Sequence, residues 1–103
     1  MSKTEKIDWE AEAYPRFNRK RKKLSRDQKL ILNEEIKRIL LNPLKGEQKT
    51  GSLKGVWVEK FQVENDQLLV AYEIDVKKKR IFFMDVGQHE NFYRELSKYR
   101  KSI

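Results

Sequence analysis

The chain has 103 residues, with 24 lysines and arginines against 16 aspartates and glutamates, a formal charge of +8. That length holds one domain with one modest core, and the cationic excess favours a nucleic acid, an anionic surface or an acidic protein partner. The absence of cysteine removes disulfide and thiolate chemistry. No apolar run is long enough to cross a bilayer and the first residues are charged and polar, so a cytoplasmic protein with no membrane role is expected.

Residues 1–6 are polar and expected to fray. Residues 7–14 alternate, with Ile7, Trp9, Ala11 and Ala13 on one side and Asp8, Glu10 and Glu12 on the other, which reads as a strand with one acidic face. Glu and Ala also allow a short helix there. Pro15 ends that element and opens a helix in which Phe17 and Leu24 share a face and residues 19–23, all basic, cover most of the rest; that run could bind phosphate or an acidic segment of a partner, and a solvated helix face is its commoner reading. Ser25 and Gln28 have the spacing of a capping box. The helix that follows carries Leu32, Ile36, Ile39 and Leu40 as its apolar stripe, with Glu34, Glu35, Lys37 and Arg38 largely outside, and Asn42 before Pro43 stops it.

Residues 44–55 read as a loop with three glycines and three lysines. Residues 56–63 are β-branched and aromatic, residues 67–74 are nearly all apolar, and residues 80–86 form a further strand. Short turns join these three, so they should form an antiparallel meander. Gly87 marks the junction to a terminal helix in which Phe92, Leu96 and Tyr99 have core-facing spacing. The whole reads as a single α+β domain over residues 1–103, in the order β-α-α-β-β-β-α, with the helical hairpin on one face of an antiparallel sheet.

The only histidine, His89, is expected near the start of the last helix, where an imidazole can exchange a proton near neutral pH with backbone N–H dipoles close by. A general acid or base and a surface histidine capping a helix both fit that position. Tyr93 lies one helical turn further on and could stack on a base. Lys45, Lys49, Lys54, Lys60 and Arg80 flank the sheet and the loop feeding it. Lys60 should point with Val58 and Gln62, away from the Trp57 and Phe61 side, onto a face open to a polyanion. Cleavage of RNA by its own 2′-OH asks for this kit: a base for the hydroxyl, an acid for the leaving 5′-oxygen, and fixed cations for the crowded phosphorane. Asp66, Glu73, Asp75 and Lys77 make only a loose metal-nuclease pattern, so neither a metal nor another cofactor is expected. A double-stranded-RNA-binding fold also places three strands before a last helix, but with one leading helix rather than two.

Residues 42–46 (NPLKG), 51–55 (GSLKG), 56–63, 68–72 (LLVAY) and above all 86–93 (VGQHENFY) resemble the RelE/ParE toxin superfamily, in particular its ParE-like and HigB- or YafQ-like members, over roughly residues 8–100. The resemblance implies the toxin of a bacterial type II toxin–antitoxin system, partnered by an acidic antitoxin, and for many relatives a metal-independent endoribonuclease acting on mRNA at the ribosome. His89 matches the histidine implicated in cleavage in histidine-bearing members, Tyr93 the aromatic four residues later, Lys60 a basic residue late in a strand, and Lys54 a basic residue in the Leu-basic-Gly turn. Leu69 stands where some RelE-type enzymes carry arginine, and Asn42 where YafQ-like members carry histidine. This thinner set also fits a ParE-like toxin that inhibits DNA gyrase by binding it without cleaving RNA, or an inactive member.

Overall fold

A computed structural model describes residues 8–102. Its elements are β1 (Glu10–Ala13), α1 (Pro15–Lys22), α2 (Arg26–Leu41), β2 (Glu47–Gln48), β3 (Val56–Val63), β4 (Asp66–Asp75), β5 (Arg80–Gln88) and α3 (Phe92–Lys101), with 3-10 turns at Pro43–Lys45 and Gly51–Leu53. The strands form one sheet in the order β1-β5-β4-β3-β2. The α+β architecture and the β3-β4-β5 meander are as expected from sequence, and the two sheet edges are not.

At one edge, β2 is a two-residue strand inside the stretch read as loop, paired antiparallel with Val58 and Trp57. At the other, β1 runs parallel to β5, from Glu10 opposite Arg80 to Ala13 opposite Phe83. All four β1 residues are exposed, so its alternation does not sort a wet face from a dry one. An edge strand this short, with only small apolar side chains, has nothing to bury on either side. Of the residues expected to begin it, Ile7 lies outside the described residues, and Trp9 packs beside the core under the Lys79 ammonium, 4.6 Å from its ring centroid.

The sheet buries both faces. Phe61, Val70, Tyr72, Ile81 and Phe83 pack on one side against Phe17 of α1 and Leu32 and Ile39 of α2. Val56, Val58, Leu69, Ala71 and Met84 pack on the other against Phe92 and Leu96 of α3. The α2 start is the expected capping box: the Gln28 N–H donates to Ser25 Oγ at 3.2 Å and the Ser25 N–H to Gln28 Oε1 at 2.9 Å. One α2 expectation is overturned. Glu35 is buried rather than outside, and its carboxylate takes Arg38 at 3.1 Å and Lys45 at 2.7 Å. A charge removed from water this far needs such partners.

The 42–46 loop is locked onto the sheet by Tyr72, whose hydroxyl donates to the Pro43 carbonyl at 2.7 Å and accepts from the Gly46 N–H at 3.1 Å. A Cβ on Gly46 would lie 2.6 Å from that hydroxyl oxygen, so close approach accounts for the glycine.

One irregularity decides where the chain's only histidine emerges. Tyr72 pairs with Phe83 but Ala71 pairs with Asp85, leaving Met84 as the extra residue of a β-bulge. Side chains alternate along a strand, so an unbroken β5 would put Asp85 and Gly87 on the Phe83 side, facing the helical hairpin. The inserted residue reverses that parity. Val86 joins Val70 in the hairpin-side core, while Gly87 pairs with Leu69 on the α3 side.

Candidate nucleic-acid interface

Lys60 of β3, Leu69 of β4 and Gly87 of β5 lie side by side across three strands. At about 4.8 Å per strand, the outer two backbones are about 10 Å apart. Val56 and Val58, lower on the same face of β3, are covered by α3, whereas Lys60 and Gln62 are exposed beyond its start. The open part of this face is therefore its Lys60 end alone, smaller than the whole-face groove expected from sequence.

His89 follows β5 directly and is exposed there. Its carbonyl accepts from the Phe92 N–H at 3.1 Å, and Asn91, at φ 62°, turns the chain into α3. Asn91 rather than Gly87 thus makes the reversal, and Gly87 belongs to the strand. What Gly87 provides is room, since a Cβ there would be 3.4 Å from Lys20 Nζ and 3.8 Å from Phe92 Cδ1. His89 precedes the helix rather than sitting on it, yet its ring meets Tyr93 edge-on, with centroids 5.7 Å apart and an interplanar angle of 82°.

Tyr93 in turn carries Lys49 over its ring, 4.8 Å from the centroid. Lys49 is also 3.0 Å from the Glu47 carboxylate. That hydrogen bond raises the Lys49 ammonium above the ordinary lysine range, with burial opposing and Tyr93 adding to the rise. Lys49 is accordingly a fixed cation, not a group that trades protons near neutral pH. Glu47 is held below the usual carboxylate range by its hydrogen bond and charge interaction with Lys49, burial opposing, and the charge of Lys60 adds to the lowering. Four of the residues singled out from sequence, His89, Tyr93, Lys49 and Lys60, therefore share one end of one sheet face.

The other three do not join them. Arg80 begins β5, opposite Asp75 and Glu10, with its Nε 3.4 Å from the Glu10 carboxylate. Nine residue steps of extended chain separate it from His89, about 30 Å. Lys45 lies between Glu35 and Glu59 on the helical-hairpin side of the sheet. Burial works to lower its ammonium, but the two carboxylates together outweigh that and raise it. Lys54 is exposed before β3, next to Gly55, where the neighbour is Arg100 at the far end of α3, about 20 Å along the strand from Lys60.

Sequence reading took residues 19–23 as one basic run and missed that Lys20 joins Arg16 on a buried carboxylate. Asp85 is fully buried and receives Arg16 Nε and Lys20 Nζ, each at 3.1 Å, and the Val86 N–H at 2.8 Å. The signal was present: a carboxylate inside the apolar run 81–86 needs buried counter-charge, and Arg16 and Lys20 stand at i and i+4 on one helix. The loose acidic pattern disperses. Asp66 and Asp75 are at opposite ends of β4, and Glu73 takes the Tyr14 hydroxyl at 2.8 Å and Arg100 at 3.6 Å.

The architecture is that of the RelE toxins. E. coli RelE, as a double arginine-to-alanine mutant in the free state, superposes with a TM-score of 0.72 at 15% identity over 92% of this chain and 98% of that one. The RelBE2 toxin–antitoxin complex of Mycobacterium tuberculosis gives 0.70 at 16% identity over 79% and 98%, and the intact E. coli RelBE complex 0.66 at 17% over 80% and 98%. The family model for the ParE-like toxin of type II bacterial toxin–antitoxin systems matches residues 12–97, and the chain belongs to that family. No curated protein matches it significantly. The protein is a type II toxin of the RelE/ParE superfamily, and no helix among the described residues is long and apolar enough to cross a membrane.

Proposed function

We propose that this toxin is a metal-independent endoribonuclease that cuts mRNA on the ribosome and so stops translation. The observation that carries the reading is the convergence of His89, edge-on Tyr93, ammonium Lys49 and Lys60 at the open end of the α3 face. An RNA strand laid there brings a scissile phosphate to the imidazole. His89 takes the 2′-hydroxyl proton or gives one to the leaving 5′-oxygen, and the 2′-oxygen displaces that oxygen to leave a cyclic phosphate. Lys49 and Lys60 stabilise the charge that builds on the phosphorane. Tyr93 fixes the imidazole plane and offers a stacking edge to a base. The RelBE structures are toxin–antitoxin complexes. By the same reasoning, a cognate acidic antitoxin partners this chain and competes with RNA for its positive field.

Replacing His89 by Ala should lower cleavage about 10²–10⁴-fold and abolish growth inhibition while leaving the fold unchanged. Undiminished toxicity in that variant would remove His89 from the chemistry. A second reading, inhibition of DNA gyrase by protein binding, is favoured by one observation: Leu69, where some RelE-type enzymes carry arginine, is fully buried and supplies no cation. Mapping transcript ends after induction separates the two. Discrete cuts within codons belong to the nuclease, and intact transcripts with a DNA-damage response to the gyrase inhibitor.

A further inference from the structure

We infer that Lys20, held over Gly87 by the buried carboxylate of Asp85, binds the RNA phosphate next to the one at His89. The inference rests on the RNA-cleaving reading for the identity of its ligand. Asp85 is 0% exposed, and a charge buried so completely requires compensation. One cation would supply it, and the structure supplies two. Arg16 divides itself between Asp85 Oδ2 at 3.1 Å and the Glu95 carboxylate at 3.5 Å, and stacks on Tyr99 at 5.3 Å from the ring centroid. Lys20 has Asp85 Oδ1 at 3.1 Å as its only ion-pair partner among the described residues. That carboxylate is shared with Arg16 and with the Val86 N–H, so it does not spend the positive charge of Lys20. An ammonium has three donors, and the Lys20 side chain remains 32% exposed.

Its position gives the charge a use. The ammonium stands 3.4 Å from where a Gly87 Cβ would be, on the α3 face reached because of the bulge. His89 lies two residues further along, about 7 Å at strand rise. A backbone whose scissile phosphate is at His89 thus passes a neighbouring phosphate over the Gly87 notch. Lys20 is also immobilised in advance: α1 is anchored by Phe17, 3% exposed against Phe83, and the Asp85 contact fixes the end of the chain. Little side-chain freedom is left to lose when RNA arrives. Its exposed neighbours Arg19, Lys22 and Lys23 have no such anchor among the described residues.

The test uses His89→Ala protein, in which cleavage should be slow enough for binding to be measured, and a short oligoribonucleotide. Adding Lys20→Gln should weaken binding and reduce the slope of log affinity against log salt by about 0.7, the share of one phosphate on a single strand. In the His89→Ala protein that keeps Lys20, bound RNA should shield the Lys20 amine from acetylation. That measurement holds even where the Lys20 variant folds poorly. An unchanged slope in a folded Lys20→Gln protein, or equal acetylation with and without RNA, overturns the proposal. Cleavage by the unsubstituted toxin is scored separately. Cutting without these effects removes only Lys20, whereas binding with these effects and no cutting removes only the nuclease.

Discussion

Tyr72 touches none of the residues at the candidate site, yet the loop between α2 and β2 hangs from its hydroxyl. Burial pushes that phenol up to about 12 from 10.0, with the carboxylates of Glu59 and Glu35 adding and the Gly46 N–H opposing. The folded state therefore prefers the protonated phenol. Its contribution is complete below about pH 10 and is lost as pH rises toward about 12. Tyr72→Phe leaves the Pro43 carbonyl and the Gly46 N–H unpaired, which should cost about 1–3 kcal/mol in urea unfolding at neutral pH. The same variant should lose less stability than the parent between pH 10 and 12, because its titrating group is gone. Equal alkaline loss in both proteins would assign that limb to other groups.

At the scale of the element, β5 carries the argument, because its bulge chooses the face on which His89 appears. Inserting one alanine between Val86 and Gly87 shifts the alternation by one residue, which carries Gly87 and His89 to the side of the helical hairpin, away from Lys49 and Lys60. The insertion variant should retain its β content by circular dichroism and lose cleavage as completely as His89→Ala. Retained cleavage in a folded variant would show that the face on which β5 delivers His89 does not govern the site. Nothing in residues 80–88 announces that extra residue, since Phe83 and Met84 are both acceptable in a buried strand, and this is why the face of His89 could not be read from sequence. Features written in adjacent residues were legible: the Ser25–Gln28 capping box, the stop before Pro43, and the α3 stripe of Phe92 and Leu96. Features that depend on distant partners were not. The parallel pairing of β1 and the burial of Glu35 against Lys45, an ammonium that Glu59 shares, are set by contacts that local pattern does not encode, and the run 81–86 shows that Asp85 needs counter-charge without showing that Arg16 and Lys20 supply it. Position along the chain and the resemblance of residues 86–93 to a toxin family both pointed to His89 and Tyr93, but neither gave the distance that separates Arg80, Lys45 and Lys54 from them.

For the whole molecule, the question is whether its formal charge of +8 acts as one field or as a local site. The sheet divides the lysines. Lys49 and Lys60 lie at the His89 end of the α3 face, whereas Lys77 and Lys78 are exposed in the turn between β4 and β5, about 30 Å away along β5. Two double variants isolate the effect of place, because Lys49→Gln with Lys60→Gln and Lys77→Gln with Lys78→Gln leave proteins of the same formal charge. A diffuse field would make them equally weak binders of RNA. A site predicts otherwise: the first pair should lower the salt slope of binding by about 1.4, two phosphates' worth on a single strand, and slow cleavage of bound RNA, because those ammonium groups also stabilise the phosphorane. The second pair should leave the slope and the single-turnover rate where they were and change only the association rate at low salt, since charges beyond a Debye length of about 10 Å at 0.1 M steer an approaching polyanion without gripping it. Identical slopes for the two variants would mean that the end of the sheet near His89 holds no phosphate of its own.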